Sequence, residues 1–227
     1  MLPPDLRVFE EDVIACERCT RLRRYCVEIG EIKRRAYRDQ TYWTKPVPSF
    51  GDTEARLLIL GLAPGAHGAN RTGRLFTGDR SGEFLYRALY ETGFASQAES
   101  VARGDGLRLR DCWITAAVRC APPDNKPLPD EFLRCRPFLV RELSLMKRVR
   151  VVVCLGKLAF DTYLSILKEA GRIERRGAFR FEHGAVHGLE PVLISSYHPS
   201  QQNTSTGRLT REMLRDVFET ARDVLSK

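Results

Sequence analysis

Four short apolar runs most constrain what this chain can fold into: Arg56–Leu60, Cys112–Ala116, Arg150–Leu155 and Val192–Tyr197. They are too short for helices and lack polar alternation. Such runs read as strands buried on both faces, as in a parallel sheet. Helical patterns separate or follow them. Leu6–Val27 is interrupted by a cysteine pair, and Gly82–Thr92 is amphipathic. Asp130–Arg148 follows Pro129, with Asp130 as its expected cap. Lys157–Ala170 follows Gly156, and Arg208–Ser226 follows a turn from Asn203 to Gly207. Phe179–Glu182 reads as a short extra strand at an edge, and segment 31–55 as a long ordered loop. Strand–helix alternation at this spacing predicts an α/β protein. The expected form is a three-layer α/β/α sandwich around a mostly parallel four-stranded sheet. At 227 residues the chain makes one domain, 1–227, whose core needs no disulfide staples.

Open parallel sheets bind ligands beyond the carboxyl ends of their strands. The chemically loaded loops of this chain fall there. Gly61-Leu-Ala-Pro-Gly-Ala-His-Gly-Ala-Asn70 follows the first run, Arg119 to Asn125 the second, and Tyr197-His198-Pro-Ser200 the fourth. The glycines from Gly61 to Gly68 allow close backbone approach to a ligand. No lysine followed by Ser or Thr completes a triphosphate-binding P-loop, so that class is excluded. Phe76 offers either a flat platform for a base or a ring that closes the loop onto the core. Asp79 stands at a helix N-cap and equally offers a carboxylate to orient water. His198, directly after a strand, can turn an imidazole N–H toward a developing anion. The polar run Gln201, Gln202, Asn203, Thr204 and Ser205 suits contacts to phosphates or base edges.

The formal charge of +8 is unevenly spread. Residues 1–17 carry −4 and residues 18–38 carry +6. Such a block is either a solvated face or a phosphate-contacting stripe. No apolar run approaches the ~20 residues of a membrane span, and the N-terminus lacks a signal-peptide pattern. Seven cysteines are therefore expected as reduced thiols or metal ligands in the cytoplasm. Cys16-x2-Cys19 can turn two thiolates to one centre, and Cys120 and Cys135 can supply two more. Four thiolates suit a [4Fe–4S] cluster or a tetrahedral zinc. Cys112 and Cys154 lie inside strand runs and read, with Cys26, as core thiols.

Taken together, Gly61 to Arg74, Phe76-Thr-Gly-Asp79, Thr115 to Pro123 with Asn125, and Tyr197-His-Pro-Ser with Gln202-Asn-Thr resemble family 5 uracil-DNA glycosylases. The likeness runs from about Cys16 to the last helix. It implies a [4Fe–4S] cluster on Cys16, Cys19, Cys120 and Cys135, joining segment 1–55 to the rest of the domain. It also implies catalytic Asp79, His198 and Asn125, with base contacts from Gly61, Ala63, Gly65, Phe76 and Ala116. DNA contacts fall on His67, Asn70, Arg71, Ser200, Gln201, Gln202 and Asn203. Related glycosylases carry an acidic or amide group where this chain has Leu62 and Ala63, and an asparagine near Ala116. Those departures are typical of family 5. They go with a wider substrate range, including hypoxanthine and xanthine. The expectation is a monomeric base-excision enzyme acting on double-stranded DNA that holds uracil or other deaminated bases, with no membrane partner. An iron–sulfur redox protein and a non-catalytic base-binding module are the competing readings.

Overall fold

The computed structural model describes residues 2–227. The strands are β1 (Phe50–Gly51), β2 (Leu57–Gly61), β3 (Cys112–Ala116), β4 (Val151–Leu155), β5 (Val186–His187) and β6 (Val192–Ser196). The helices are α1 (Pro4–Ile14), α2 (Thr20–Ile32), α3 (Ala69–Thr72), α4 (Arg80–Glu91), α5 (Pro129–Leu145), α6 (Lys157–Glu169), α7 (Gln201–Ser205) and α8 (Arg211–Ser226). The four expected strands form the parallel centre of the sheet, in the order β3-β2-β4-β6.

The sheet has six strands rather than four, because β1 and β5 add short antiparallel edges. The strand expected at Phe179–Glu182 does not form; a 3-10 turn at Arg176–Ala178 precedes that stretch and the edge pairs at Val186–His187 instead. Phe179 and Phe181 satisfy their rings by packing on the core and on His187 and Phe160, so they need no ladder.

The strand faces divide cleanly, as a period of two requires. Leu58, Leu60, Trp113, Val152, Cys154 and Leu193 face α1, α2, α5 and α6. Leu57, Ile59, Ile114, Val151, Val153 and Ile194 face α4 and α8. Segment 1–55 thus joins the domain through apolar packing of Leu6, Phe9, Val13, Leu22 and Cys26. Helix ends shift from expectation for local reasons. The first helical pattern breaks at Ala15, and Cys19 becomes the N-cap position of α2. Leu128, not Asp130, caps α5. Pro129 takes the first helical position, where its missing N–H costs nothing, and the Glu131 carboxylate accepts from Leu128 N at 2.7 Å. Thr210 caps α8, so that helix starts three residues after Arg208.

β3 and β4 lie on opposite sides of β2, so the chain reverses its direction of growth across the sheet there. That reversal opens a crevice at the carboxyl ends of β2 and β4. The loops after β2, β4 and β6 reach it.

Candidate active site

Phe76 has a left-handed backbone, φ 51°, which costs a non-glycine residue energy and aims its ring back over the sheet. The ring lies on Gly61, the last residue of β2. A Cβ at Gly61 would stand 2.8 Å from the ring, so only glycine admits this packing. The His198 ring lies beside it, with centroids 5.9 Å apart and planes inclined by 33°. His198 is seated in turn against Gly156, whose φ of 92° closes the turn after β4. Its backbone carbonyl accepts from Asn203 Nδ2 at 2.9 Å, which ties α7 to the histidine. Burial drops the His198 pKa to about 4. The imidazole is neutral at pH 7, carrying one N–H donor.

Asp79 is the N-cap of α4, and its Oδ1 accepts from Gly82 N at 2.9 Å. Its Oδ2 lies against the glycine loop. A Cβ on Gly65 would stand 3.0 Å from that oxygen and one on Gly68 only 1.9 Å away. Cap and site are therefore the same carboxylate. Burial raises its pKa, opposed by the backbone N–H groups of Gly82 and Ser81. The loops after β2, β4 and β6 thus carry an aromatic face with a neutral imidazole beside it, and a carboxylate with one oxygen free of the cap bond.

The family model of the uracil DNA glycosylase superfamily matches residues 48–222. A type-5 uracil-DNA glycosylase from Thermus thermophilus is 49% identical over 220 residues, covering 96% of this chain and 97% of that one. Its counterpart from Pyrobaculum aerophilum is 42% identical, covering 94% and 90%. The chain belongs to the uracil-DNA glycosylase superfamily. Within it the type-5 relatives stand nearer than the type-4 ones. A type-4 uracil-DNA glycosylase of P. aerophilum is 30% identical over 162 residues, 70% of this chain.

Not every residue expected at the site faces it. Asn70 is fully buried and donates to Cys26 O at 3.1 Å, so it joins α3 to α2 instead of meeting DNA. Arg71 is spent internally too. It donates to His67 O, Gln40 Oε1 and Gly78 O, and lies 3.9 Å from the centre of the Tyr37 ring. A buried charge with three of its five N–H donors engaged on its own chain is poorly placed for a phosphate. His67 stays half-buried, its Nδ1 3.0 Å from Tyr42 Oη. Asn125 stands exposed in a 3-10 turn with φ 56°. It makes no side-chain hydrogen bond among the described residues. Ala116 is buried at the end of β3 and pairs in register with Gly61, while Ala63 and Gly65 line the half-buried loop after β2. The Gln201–Ser205 stretch is a short helix, not an open loop. Ser200 caps it, and Gln201 and Gln202 are exposed.

The sequence reading missed Tyr42 behind His67, and the roles of Gly68 and Gly156 against Asp79 and His198. Gly156 directly follows β4, and Gly68 stands at the N-cap of α3 in the loop after β2.

The four thiols expected together do converge. Cys16, Cys19, Cys120 and Cys135 line one small, tight pocket, with Arg18, Arg23, Arg119 and Arg134 around it. They come from the α1–α2 junction, the loop after β3 and α5. Burial raises the pKa of Cys19, and burial pushes Cys135 up to about 11. Among the described residues no three His, Cys, Asp or Glu side chains are gathered as tightly as one ion requires. Cys26 does not line this pocket; its thiol stands against Cys120 and donates to Ala121 O at 3.7 Å.

Proposed function

We propose that this chain is a uracil-DNA glycosylase of base-excision repair. It hydrolyses the bond between deoxyribose and uracil, and also removes hypoxanthine and xanthine from double-stranded DNA. The observation that carries the reading is the Phe76 ring on Gly61 with His198 beside it and the Asp79 carboxylate against Gly65 and Gly68. Family membership adds to it.

The base leaves the stack at a cost of a few kcal/mol, least at a mismatch such as U·G. It then stacks on Phe76. As the bond from C1′ to the base breaks, the electron pair passes to the base and the sugar becomes oxocarbenium-like. The neutral His198 donates its N–H to the base oxygen as negative charge builds there. Donors of this kind are worth roughly 10²–10³ in rate. The charge of Asp79 steadies the sugar cation, and its free oxygen orients water toward C1′. Leu62 and Ala63 supply no acid, so stabilisation of the leaving base carries more of the rate than base catalysis. A site with few polar contacts to the base edge, Ala116 among them, fits several deaminated bases.

The four thiols line one pocket, yet no three of them gather as tightly as a single ion requires, which favours a [4Fe–4S] cluster over one zinc. The surrounding arginines offset the negative charge of such a cluster. When bound, the cluster would cross-link segment 1–55 to the loop after β3. The monomer acts in the cytoplasm on the chromosome, with the basic surface of residues 18–38 turned to phosphates.

Strand breakage after alkali, on duplexes carrying uracil, hypoxanthine or xanthine, tests the reading. His198→Ala and Asp79→Asn should each cut uracil release at least tenfold. Full activity in both variants, or no release by the native chain, would sink it.

A further inference from the structure

Behind the turn that carries Phe76 and Asp79 lies a buried polar network that the chemistry above does not use. Its centre is Arg74, whose side chain is 5% exposed, paired with Asp105, 8% exposed. The pair is bidentate, at 2.9 and 2.6 Å. Arg74 also donates from Nε to Thr77 Oγ1 at 3.0 Å and from Nη2 to Ser100 Oγ at 2.7 Å. The Thr77 and Ser100 hydroxyls stand 2.6 Å apart, and Gly78 N donates to Ser100 O at 3.0 Å. Asp105 further accepts from the backbone N–H groups of Val101 at 2.9 Å and Leu107 at 3.1 Å. Burial alone would raise its pKa, but Arg74 and those N–H groups hold it well below the usual carboxylate range. The loop that contributes Asp105 is itself pinched shut. Ala95 bridges Leu109, and Ser96 N donates to Arg108 O at 2.9 Å.

This network grips residues 77 and 78, the two that lie between Phe76 and Asp79. The grip matters because the turn does not hold itself. Phe76 occupies the left-handed region at φ 51° and Gly78 follows at φ 76°. A residue kept there needs surroundings that over-determine it. Further support comes from α4, where Gly82 packs on the Phe76 carbonyl and Tyr86 Oη donates to Leu75 O at 2.9 Å, and from α3, where Arg71 donates to Gly78 O at 2.8 Å.

We propose that Asp105, Arg74 and Ser100 are positioning residues for the glycosylase, a buried clamp that sets where the Phe76 ring and the Asp79 carboxylate stand. The inference rests on the site reading given above. None of the three touches the substrate, and each acts through residues 77 and 78. Loosening the clamp lets the strained turn relax, moves the platform and the carboxylate, and admits water to Asp79.

The test uses Asp105→Asn, Ser100→Ala and Asp79→Asn in the full chain. Single-turnover release from a U·G duplex is measured across pH, with binding to an undamaged duplex alongside. Misplacement of about 1 Å can cost ~10²-fold in rate. Asp105→Asn should therefore lose roughly 10–100-fold, and Ser100→Ala a smaller part of that. Binding to the undamaged duplex should be unchanged. The acid limb of the rate profile should move to lower pH, because a hydrated Asp79 loses its proton more easily. A scaffold role alone would lower the melting temperature and leave that limb in place. Native rates and limbs in both clamp variants, with Asp79→Asn inactive, overturn the clamp alone. Full activity in Asp79→Asn overturns the site reading and the clamp with it. If Asp105→Asn does not fold, Ser100→Ala decides by the same two readouts.

Discussion

A single methyl group at Gly68 should disable the site while leaving the fold in place. The Cβ of Gly68→Ala would lie 1.9 Å from Asp79 Oδ2, 2.7 Å from Cγ and 3.0 Å from Cβ. Ordinary contact begins near 3.4 Å, so the carboxylate must retreat by roughly an ångström or more. It cannot simply rotate, because Oδ1 is held by Gly82 N at 2.9 Å as the cap of α4. Retreat therefore either breaks the cap or carries the first turn of α4 with it. Loss of the cap costs about 1 kcal/mol. In a chain of this size that is roughly 2–4 °C of melting temperature. Moving the carboxylate about 1 Å costs on the order of 100-fold in rate. Single-turnover uracil release and a thermal melt measure the two together. A variant with native rate would show that Asp79 Oδ2 is not the oxygen that matters. A variant that does not fold would show that the loop cannot yield at all.

Three further outcomes follow from the same geometry. His198 titrates near pH 4 when folded and near 6.5 when unfolded, so the unfolded chain binds more protons between those values. Native stability should rise with pH through that window and be independent of this group on either side of it; His198→Gln should flatten this slope in melts taken from pH 4 to 7. The purified protein should carry iron and sulfide with visible absorbance. Cys16→Ser or Cys135→Ser should remove that absorbance while Cys26→Ser keeps it, and a colourless native protein holding zinc would refute the cluster. Arg21 and Arg23 are paired with Glu131 and Glu17, whereas Arg24, Arg34, Arg35 and Arg38 are exposed. Replacing Arg34 and Arg35 by alanine should weaken binding to any duplex and lower the salt slope by about 0.9 per lost phosphate contact; an unchanged slope would show that this face does not meet DNA.

The four central strands were legible because burial on both faces leaves no charged residue in them and few polar ones, Thr115, Ser195 and Ser196, and that pattern needs no partner to be read. The edge strands were not, since two residues carry no period. Phe179 and Phe181 were misassigned for a related reason: an aromatic pair packs equally well on a helix and in a ladder, and here α6 and His187 received it. At the site, Phe76, Asp79 and His198 stood out because each follows a strand end or a glycine turn. Asn70 and Arg71 looked like DNA contacts because they are polar and lie in the same loop. They proved to be braces, since the loop folds back as α3 onto α2 and under residue 78.

The amino-acid sequence alone thus determined the layers, the strand order's raw material and the placing of the loaded loops after β2 and β6 at one sheet edge. These depend on local period, strand burial and residue type. Tertiary structure alone decided which polar side chains look outward. A hydrogen-bonding group takes whatever partner the fold brings within about 3 Å, and no spacing along the chain records that. Arg74 and Asp105 are 31 residues apart yet share one buried pair, and Gly68 is a glycine because of a carboxylate eleven residues further on.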